Sequence, residues 1–158
     1  MTVVDSGTLH HAAFVVRDVD ATAKALAKSL GVTWNVWTLE PPEMTVRGKR
    51  TQCSFKVALA QVGNAVYELL QPVTGESVYV EHLATRGEGF HHTCLAYPTA
   101  DALRQAKSEL ERQGRTLIQS GRDGELYEFC YFTMPELGGA LELLFLGGEL
   151  PPPEQTIG

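Results

Sequence analysis

Cysteine is scarce in this chain: there are three, Cys53, Cys94 and Cys130. An odd number with no CxxC spacing excludes a disulfide framework and a cysteine zinc site, and leads us to expect a reduced, cytoplasmic setting. Positive charge is also short, with 13 basic against 19 acidic residues and a formal net charge of −6. No basic stripe tracks a phosphate backbone, so nucleic acid is not an expected partner. No apolar run approaches the roughly 18 residues that span a bilayer, so no membrane is expected. Met1-Thr2-Val3-Val4-Asp5 lacks the basic and apolar regions of a signal peptide. What is left is ordinary: 44% hydrophobic and 20% charged residues over 158 positions, one soluble domain able to bury its own core.

What the chain does have is an internal repeat. Residues 9–14 read L-H-H-A-A-F, and residues 90–95 read F-H-H-T-C-L, an offset of 81. A helix pattern follows each. The first runs from an N-cap at Asp20 through Ala25, Leu26 and Leu30 to Gly31. The second runs from Asp101 through Leu103, Ala106 and Leu110 to Gly114. Three strand-like runs follow each helix: Val32–Trp37, Cys53–Ala60 and Ala65–Leu70, then Thr116–Gln119, Tyr127–Thr133 and Ala140–Leu146. Val62-Gly63-Asn64 and Leu137-Gly138-Gly139 supply the last turns. The final strands match as V-Y-E-L-L at 66–70 and A-L-E-L-L at 140–144, an offset of 74. The first half is therefore seven residues longer, and the surplus is assigned to a loop at Thr38–Arg50 carrying Pro41 and Pro42. Pro151-Pro152-Pro153 is expected to lie along the surface. These patterns predict an α+β fold: two tandem βαβββ modules, about 9–72 and about 90–147, in one domain spanning 1–158. Each module exposes an apolar sheet face that pairing can bury.

Four residues with metal-binding chemistry stand at repeat-equivalent places: His11 and His92 on the first strands, Glu68 and Glu142 on the last. Period-2 alternation groups His11 with Ala13 and Val15, and His92 with Cys94 and Ala96. It puts His10 and His91 on the opposite faces. Glu68 shares a face with Val66 and Leu70, and Glu142 with Ala140 and Leu144. A carboxylate among apolar neighbours is costly to bury unless it is paired, hydrogen-bonded or bound to a metal. A lone strand histidine is usually a satisfied polar residue, and a lone glutamate between leucines usually faces water. Here two such coincidences would have to fall in register. Mixed N/O ligation suits one divalent ion: zinc, nickel, cobalt, manganese or iron(II).

These segments resemble a known family. L-H-H-A-A-F-V-V-R-D-V-D at 9–20 is similar to the opening strand of the vicinal oxygen chelate superfamily, which includes glyoxalase I, methylmalonyl-CoA epimerase, extradiol dioxygenases and bleomycin-resistance proteins. Val66-Tyr67-Glu68-Leu69-Leu70-Gln71-Pro72 resembles its fourth strand, Gly87-Glu88-Gly89-Phe90-His91-His92 the entry to its second module, and Gly139-Ala140-Leu141-Glu142-Leu143 its last strand. The resemblance spans residues 9–147 and is nearest in texture to methylmalonyl-CoA epimerase-like and glyoxalase-like proteins. It implies metal ligands at His11, Glu68, His92 and Glu142, with a ligating carboxylate, Glu142 or Glu68, also serving as base. It also implies a partly closed sheet around the metal, a small-molecule substrate with vicinal oxygens, and a homodimer. The chain departs from the epimerases at two places. They usually carry Gln where Glu68 stands, and their catalytic Glu, about sixteen residues upstream, falls on Gln52 beside Thr51.

The resemblance thus implies a metal-dependent isomerase, epimerase or lyase acting alpha to a carbonyl through a metal-stabilised enolate. Two rivals are weighed against it. An iron(II) ring-cleaving dioxygenase would use His11, His92 and Glu142 and leave Glu68 surplus. A non-catalytic binder of the bleomycin-resistance type would generally have lost the ligands that this chain keeps. Trp34, Trp37, Phe90 and Phe129 are candidates for a pocket lining, with plain core as the commoner role. Arg47, Lys49 and Arg50 are candidates for holding an anionic group, with a solvated loop as the commoner reading.

Overall fold

A computed structural model describes residues 2–158. The first module comprises β1 (Thr8–Val15), α1 (Val19–Leu30), β2 (Trp34–Leu39), β3 (Glu43–Val46), β4 (Lys49–Arg50), β5 (Ser54–Val62) and β6 (Ala65–Thr74). A linking helix, α2 (Val78–Arg86), leads into β7 (Gly89–Tyr97), α3 (Ala100–Arg112), β8 (Leu117–Asp123), β9 (Tyr127–Met134), β10 (Gly139–Leu146) and β11 (Gln155–Ile157). All strands join one open mixed sheet in the order β11-β2-β5-β6-β1-β7-β10-β9-β8-β3-β4. The expected α+β architecture is present. Each module contributes four strands in mirrored order, and the first strands, β1 and β7, pair antiparallel at the centre.

Helices α1 and α3 cover one face. α1 buries Val19, Ala23 and Ala27 against Trp34, Ala58, Ala60 and Leu69. α3 buries Leu103, Ala106 and Leu110 against Cys130, Phe132, Leu141 and Leu143. On the other face the two halves meet. Phe55 of β5 approaches Phe129 of β9 at 6.5 Å between ring centroids and Tyr79 of α2 at 5.0 Å. Both sheet faces are thus dry, which is why Leu69-Leu70 and Leu143-Leu144 read as continuous apolar pairs.

Four expectations need correcting. Asp20 and Asp101 are not N-caps. Asp18 caps α1 by accepting from the Ala21 N–H at 2.9 Å, and Thr99 caps α3 by accepting from the Ala102 N–H at 3.0 Å. Both helices start two residues early, and Asp20 and Asp101 sit in the first turns, where the helix dipole favours an acid. The segment Thr38–Arg50 is not a plain loop. It ends β2 and then forms a hairpin whose turn residues, Arg47 and Gly48, both have positive φ, the tight turn that suits twisted strands. Met44 and Val46 of that hairpin are buried, and β3 pairs with β8 of the other module. The proline-rich tail does not only follow the surface. Past Pro153 it becomes β11, pairs with β2 and buries Ile157. Each module therefore lends a strand to the other's outer edge, which covers both sheet edges. Lastly, α2 was not anticipated. Its opening Val-Tyr-Val favours strand, and only the Ser77 hydroxyl, accepting from the Val80 N–H, announces a helix.

Candidate metal centre

The mirrored strand order fixes the site. β6, β1, β7 and β10 are neighbours, so the first and last strands of both modules lie side by side. The register sets Ala13 beside both Glu68 and His92, and Cys94 beside both His11 and Glu142. Of the set alternation assigned, His11, Ala13, Val15, Glu68, Leu70, His92, Cys94, Ala140, Glu142 and Leu144 are buried, and Val66 and Ala96 are half-buried.

The four side chains converge at the centre of the sheet and are all buried. The Nε2 atoms of His11 and His92 are 3.2 Å apart. One oxygen of Glu142 lies 3.1 Å from His11 Nε2 and 2.8 Å from His92 Nε2, and one oxygen of Glu68 lies 3.4 and 3.6 Å from the same atoms. Ligands at about 2.0–2.1 Å from a single ion are separated from each other by roughly 3.0–3.4 Å, so these spacings fit one divalent metal. The Glu142 Oε2 atom supports this fit independently. It is buried and makes no well-directed hydrogen bond, although two imidazoles are in reach. Lone pairs that face a common point, instead of facing donors, explain that geometry.

Electrostatics follow from the crowding. Burial alone would raise the Glu142 carboxyl, but His92 and His11 outweigh it and hold the group well below the usual carboxylate range. Burial likewise pushes His11 down, yet Glu68, Cys94 and Glu142 together raise it well above an ordinary histidine. The metal-free site thus favours a proton on His11 more than an ordinary histidine would. A divalent ion would displace it.

The histidine doublets are built on bulges. Leu9 pairs with Leu95 and His11 with Cys94, so His10 has no partner. Ala13 pairs with His92 and Phe14 with Phe90, so His91 has none. An extra residue in a strand breaks the two-residue alternation at that point. Three expectations change as a result. His10 does not face away; it is half-buried and lines the same cavity as His11. Phe90 is carried to the helix side, where it packs on Phe14 at 6.2 Å between centroids, and is not in the pocket. His91 does not face away either: it is buried against Tyr79 and Tyr131, at 5.6 and 5.5 Å between ring centroids, and also lines a separate cleft with His82 and Arg86. Gly139 makes room for the second bulge: a Cβ there would lie 2.5 Å from the His91 carbonyl oxygen.

Both doublets also share a hydrogen-bond pattern. His10 Nδ1 lies 2.7 Å from His11 Nδ1, and His91 Nδ1 lies 2.7 Å from His92 Nδ1. If each inner imidazole donates from Nδ1, its Nε2 lone pair is left pointing at the centre. Burial, and the neighbouring His11 and His92, push His10 and His91 down, which keeps them neutral and able to accept.

A cavity of about 70 Å³ opens beside the four residues. Of the four aromatic candidates, Phe129 lines it. Trp34 belongs to the core under α1, and Trp37 donates from Nε1 to the Pro151 carbonyl at 2.8 Å. Tyr79 and Tyr131, which sequence reasoning missed, also line the cavity, and their hydroxyls are 2.7 Å apart. Burial pushes both phenols well up. Tyr131 was findable, since it shares the inward parity of Phe129 on β9. Tyr79 carried no signal, because its helix was not foreseen. Arg47, Lys49 and Arg50 do not reach the cavity; Arg47 pairs with Glu81 at 2.8 Å. Gln52 is exposed, and the stretch of β5 that lines the cavity offers Phe55, Val57 and Leu59.

The profile of the Glyoxalase/Bleomycin resistance protein/Dioxygenase superfamily matches residues 10–132. The chain belongs to that superfamily. Members of it that keep such ligands bind a divalent metal, and the buried His/Glu group described above can hold one. Solved structures share the fold at low identity. A hypothetical protein from Bacillus halodurans is 18% identical, with a TM-score of 0.64 over 93% of this chain and 99% of its own. Methylmalonyl-CoA epimerase from Mycobacterium tuberculosis is 21% identical, with a TM-score of 0.60 over 89% and 88%. The Streptomyces coelicolor epimerase, in complex with 2-nitronate-propionyl-CoA, is 20% identical, with a TM-score of 0.56 over 89% and 97%. No curated protein is similar enough in sequence to count as a match. No helix among the described residues is long and apolar enough to cross a membrane.

Proposed function

We propose that this chain is a metal-dependent isomerase, epimerase or lyase acting alpha to a carbonyl, with His11, Glu68, His92 and Glu142 holding one divalent ion. The observation that carries the proposal is the convergence of two imidazoles and two carboxylates, from four adjacent strands, beside a largely apolar cavity. When bound, the ion supplies Lewis-acid polarisation of a pair of substrate oxygens. The rest of the chemistry falls to the chain's own side chains. A carbon acid needs a base within hydrogen-bond reach. Gln52 is exposed and is no acid, and the stretch of β5 beside Glu68 is apolar, which leaves Glu68 and Glu142 as the carboxylates at the cavity that can serve as base. Geometry favours Glu68. Its contacts to the imidazole nitrogens are 3.4 and 3.6 Å, against 3.1 and 2.8 Å for Glu142, so it is the looser of the two and the freer to turn. Glu68 Oε1 then takes the proton, Glu142 stays fixed by both imidazoles, and the apolar walls keep water from competing.

The test has two stages. The protein is stripped with chelator, reloaded with each candidate ion and assayed for bound metal; one equivalent is expected, and failure of every ion to approach that ratio would refute the proposal. Loaded protein is then incubated in D₂O with small α-hydroxyketones and 2-oxo compounds, and α-proton exchange is followed by NMR. Oxygen uptake with catechols by iron(II)-loaded protein would instead favour ring cleavage.

A further inference from the structure

We infer that the site takes a substrate whose oxygen pair is carried on an uncharged, apolar arm, and rejects one with a free carboxylate or phosphate near the reacting end. This rests on the metal reading of the same four residues. Three observations carry it. The cavity is walled by Leu39, Phe55, Val57, Leu59, Phe129 and Leu144, among others, and no lysine or arginine lines it. Its volume of about 70 Å³ corresponds to roughly five water-sized probes, enough for a compact substituent. The charge balance is also neutral: two carboxylates cancel a divalent ion, and neutral imidazoles add nothing. An anionic arm would therefore meet no attracting field, and burying it unpaired is costly.

The polar side chains lining the cavity beyond the ligating groups are His10, the phenol of Tyr127 and the phenol pair of Tyr79 and Tyr131. None carries a fixed positive charge. Two hydroxyls that share one hydrogen bond leave one O–H free to donate to a substrate oxygen. The cation nearest in sequence, Lys56 between Phe55 and Val57, lies outside the cavity and pairs with Asp20 at 3.6 Å, and those of the hairpin are committed elsewhere or lie outside it too. Arg47 is held by Glu81, and Lys49 and Arg50 stand exposed in their hairpin.

Hydroxamic acids separate this inference from the metal reading, because each presents the same oxygen pair on a different arm. Cobalt(II)-loaded protein is titrated with acetohydroxamate, benzohydroxamate and succinohydroxamate, the last carrying a carboxylate. Binding is read from the visible cobalt spectrum. Benzohydroxamate is expected to bind at least about tenfold tighter than acetohydroxamate, and succinohydroxamate at least about tenfold weaker, each factor being about 1.4 kcal/mol. Leu59, half-buried on β5, can accept a longer side chain, and L59K is expected to improve succinohydroxamate binding relative to benzohydroxamate by a similar factor. Equal affinities for all three, or a preference for succinohydroxamate in the unaltered protein, would overturn the inference and leave the metal reading standing. Failure to bind cobalt(II) or any other candidate ion would remove both.

Discussion

Glu142→Gln is the sharpest perturbation of the metal centre. The change keeps the side chain's volume and removes its charge at the group most tightly bound into the site, with one oxygen 3.1 and 2.8 Å from the two imidazole nitrogens. A ligand that binds only the folded state at a hundred times its Kd stabilises by about 2.7 kcal/mol. For a chain of this length, each kcal/mol moves Tm by about 2–4 °C, so saturating metal should raise the midpoint by about 5–11 °C. Changing a group that only orients a ligand already costs metal affinity about 10–100-fold, so loss of a ligand should cost at least about 100-fold. At the same metal concentration E142Q would then sit near its Kd, where stabilisation is about 0.4 kcal/mol and the shift about 1–2 °C. Glu68→Gln should fall between the two, because Glu68 stands farther from both imidazoles at 3.4 and 3.6 Å. Scanning calorimetry of stripped and loaded protein reads the shifts, and circular dichroism checks that the variants fold. If E142Q gained as much from metal as the unaltered protein, Glu142 would not be a ligand and the four-residue reading would fail.

Three further outcomes are expected. Metal loading should release about one proton at neutral pH, because a bound imidazole must be neutral while His11 in the stripped protein is held well above its ordinary value of 6.5 by Glu68, Cys94 and Glu142. Calorimetric titration in buffers of different ionisation heat measures this. The sign for stability follows: His11's contribution to the metal-free fold is complete below pH 6.5 and is lost as pH rises through the raised value. His10→Phe should weaken metal binding about 10–100-fold without changing its stoichiometry, since His10 contacts His11 Nδ1 and is not one of the four converging groups; a competition assay with a chromophoric chelator tests it. Gly139→Ala should destabilise the protein by about 1–3 kcal/mol, as overpacking does, because its Cβ would stand 2.5 Å from the His91 carbonyl oxygen; a denaturant midpoint equal to that of the unaltered protein would contradict the close approach.

The parts of this fold that were legible in the sequence are those fixed by local pattern and repeated twice. The inward parity of His11, His92, Glu68 and Glu142 could be read because a strand's period of two is rigid, and because equivalent residues recur 81 and 74 positions apart. The same parity misplaced His10 and His91, and the second bulge takes Phe90 out of the pocket. One inserted residue per strand shifts everything beyond it to the other face, and no residue type marks the insertion. The β3–β4 hairpin and β11 were hidden for a different reason. Their stability comes from partners more than seventy residues away in sequence, β8 for the hairpin and β2 for β11. A four-residue strand such as Glu-Met-Thr-Val has too little pattern to declare itself without its partner. Tyr79 was hidden by both effects, since its helix begins with strand-favouring residues and its hydroxyl partner is Tyr131 on β9.

The bulges that defeated the alternation argument also explain why each doublet has two histidines. A regular strand would send neighbouring side chains to opposite faces, and His10 could not reach the Nδ1 atom of His11. With the insertion, the outer imidazole swings close enough to touch the inner one at 2.7 Å in both modules. The inner ring then has its Nδ1 occupied and its Nε2 committed to the centre. A metal-binding histidine is worth most when its tautomer and ring angle are set beforehand, and an adjacent residue is the shortest route to that control. The repeated H-H pair is therefore best understood as one ligand and one positioning group per module, joined by the defect in the strand that lets them meet.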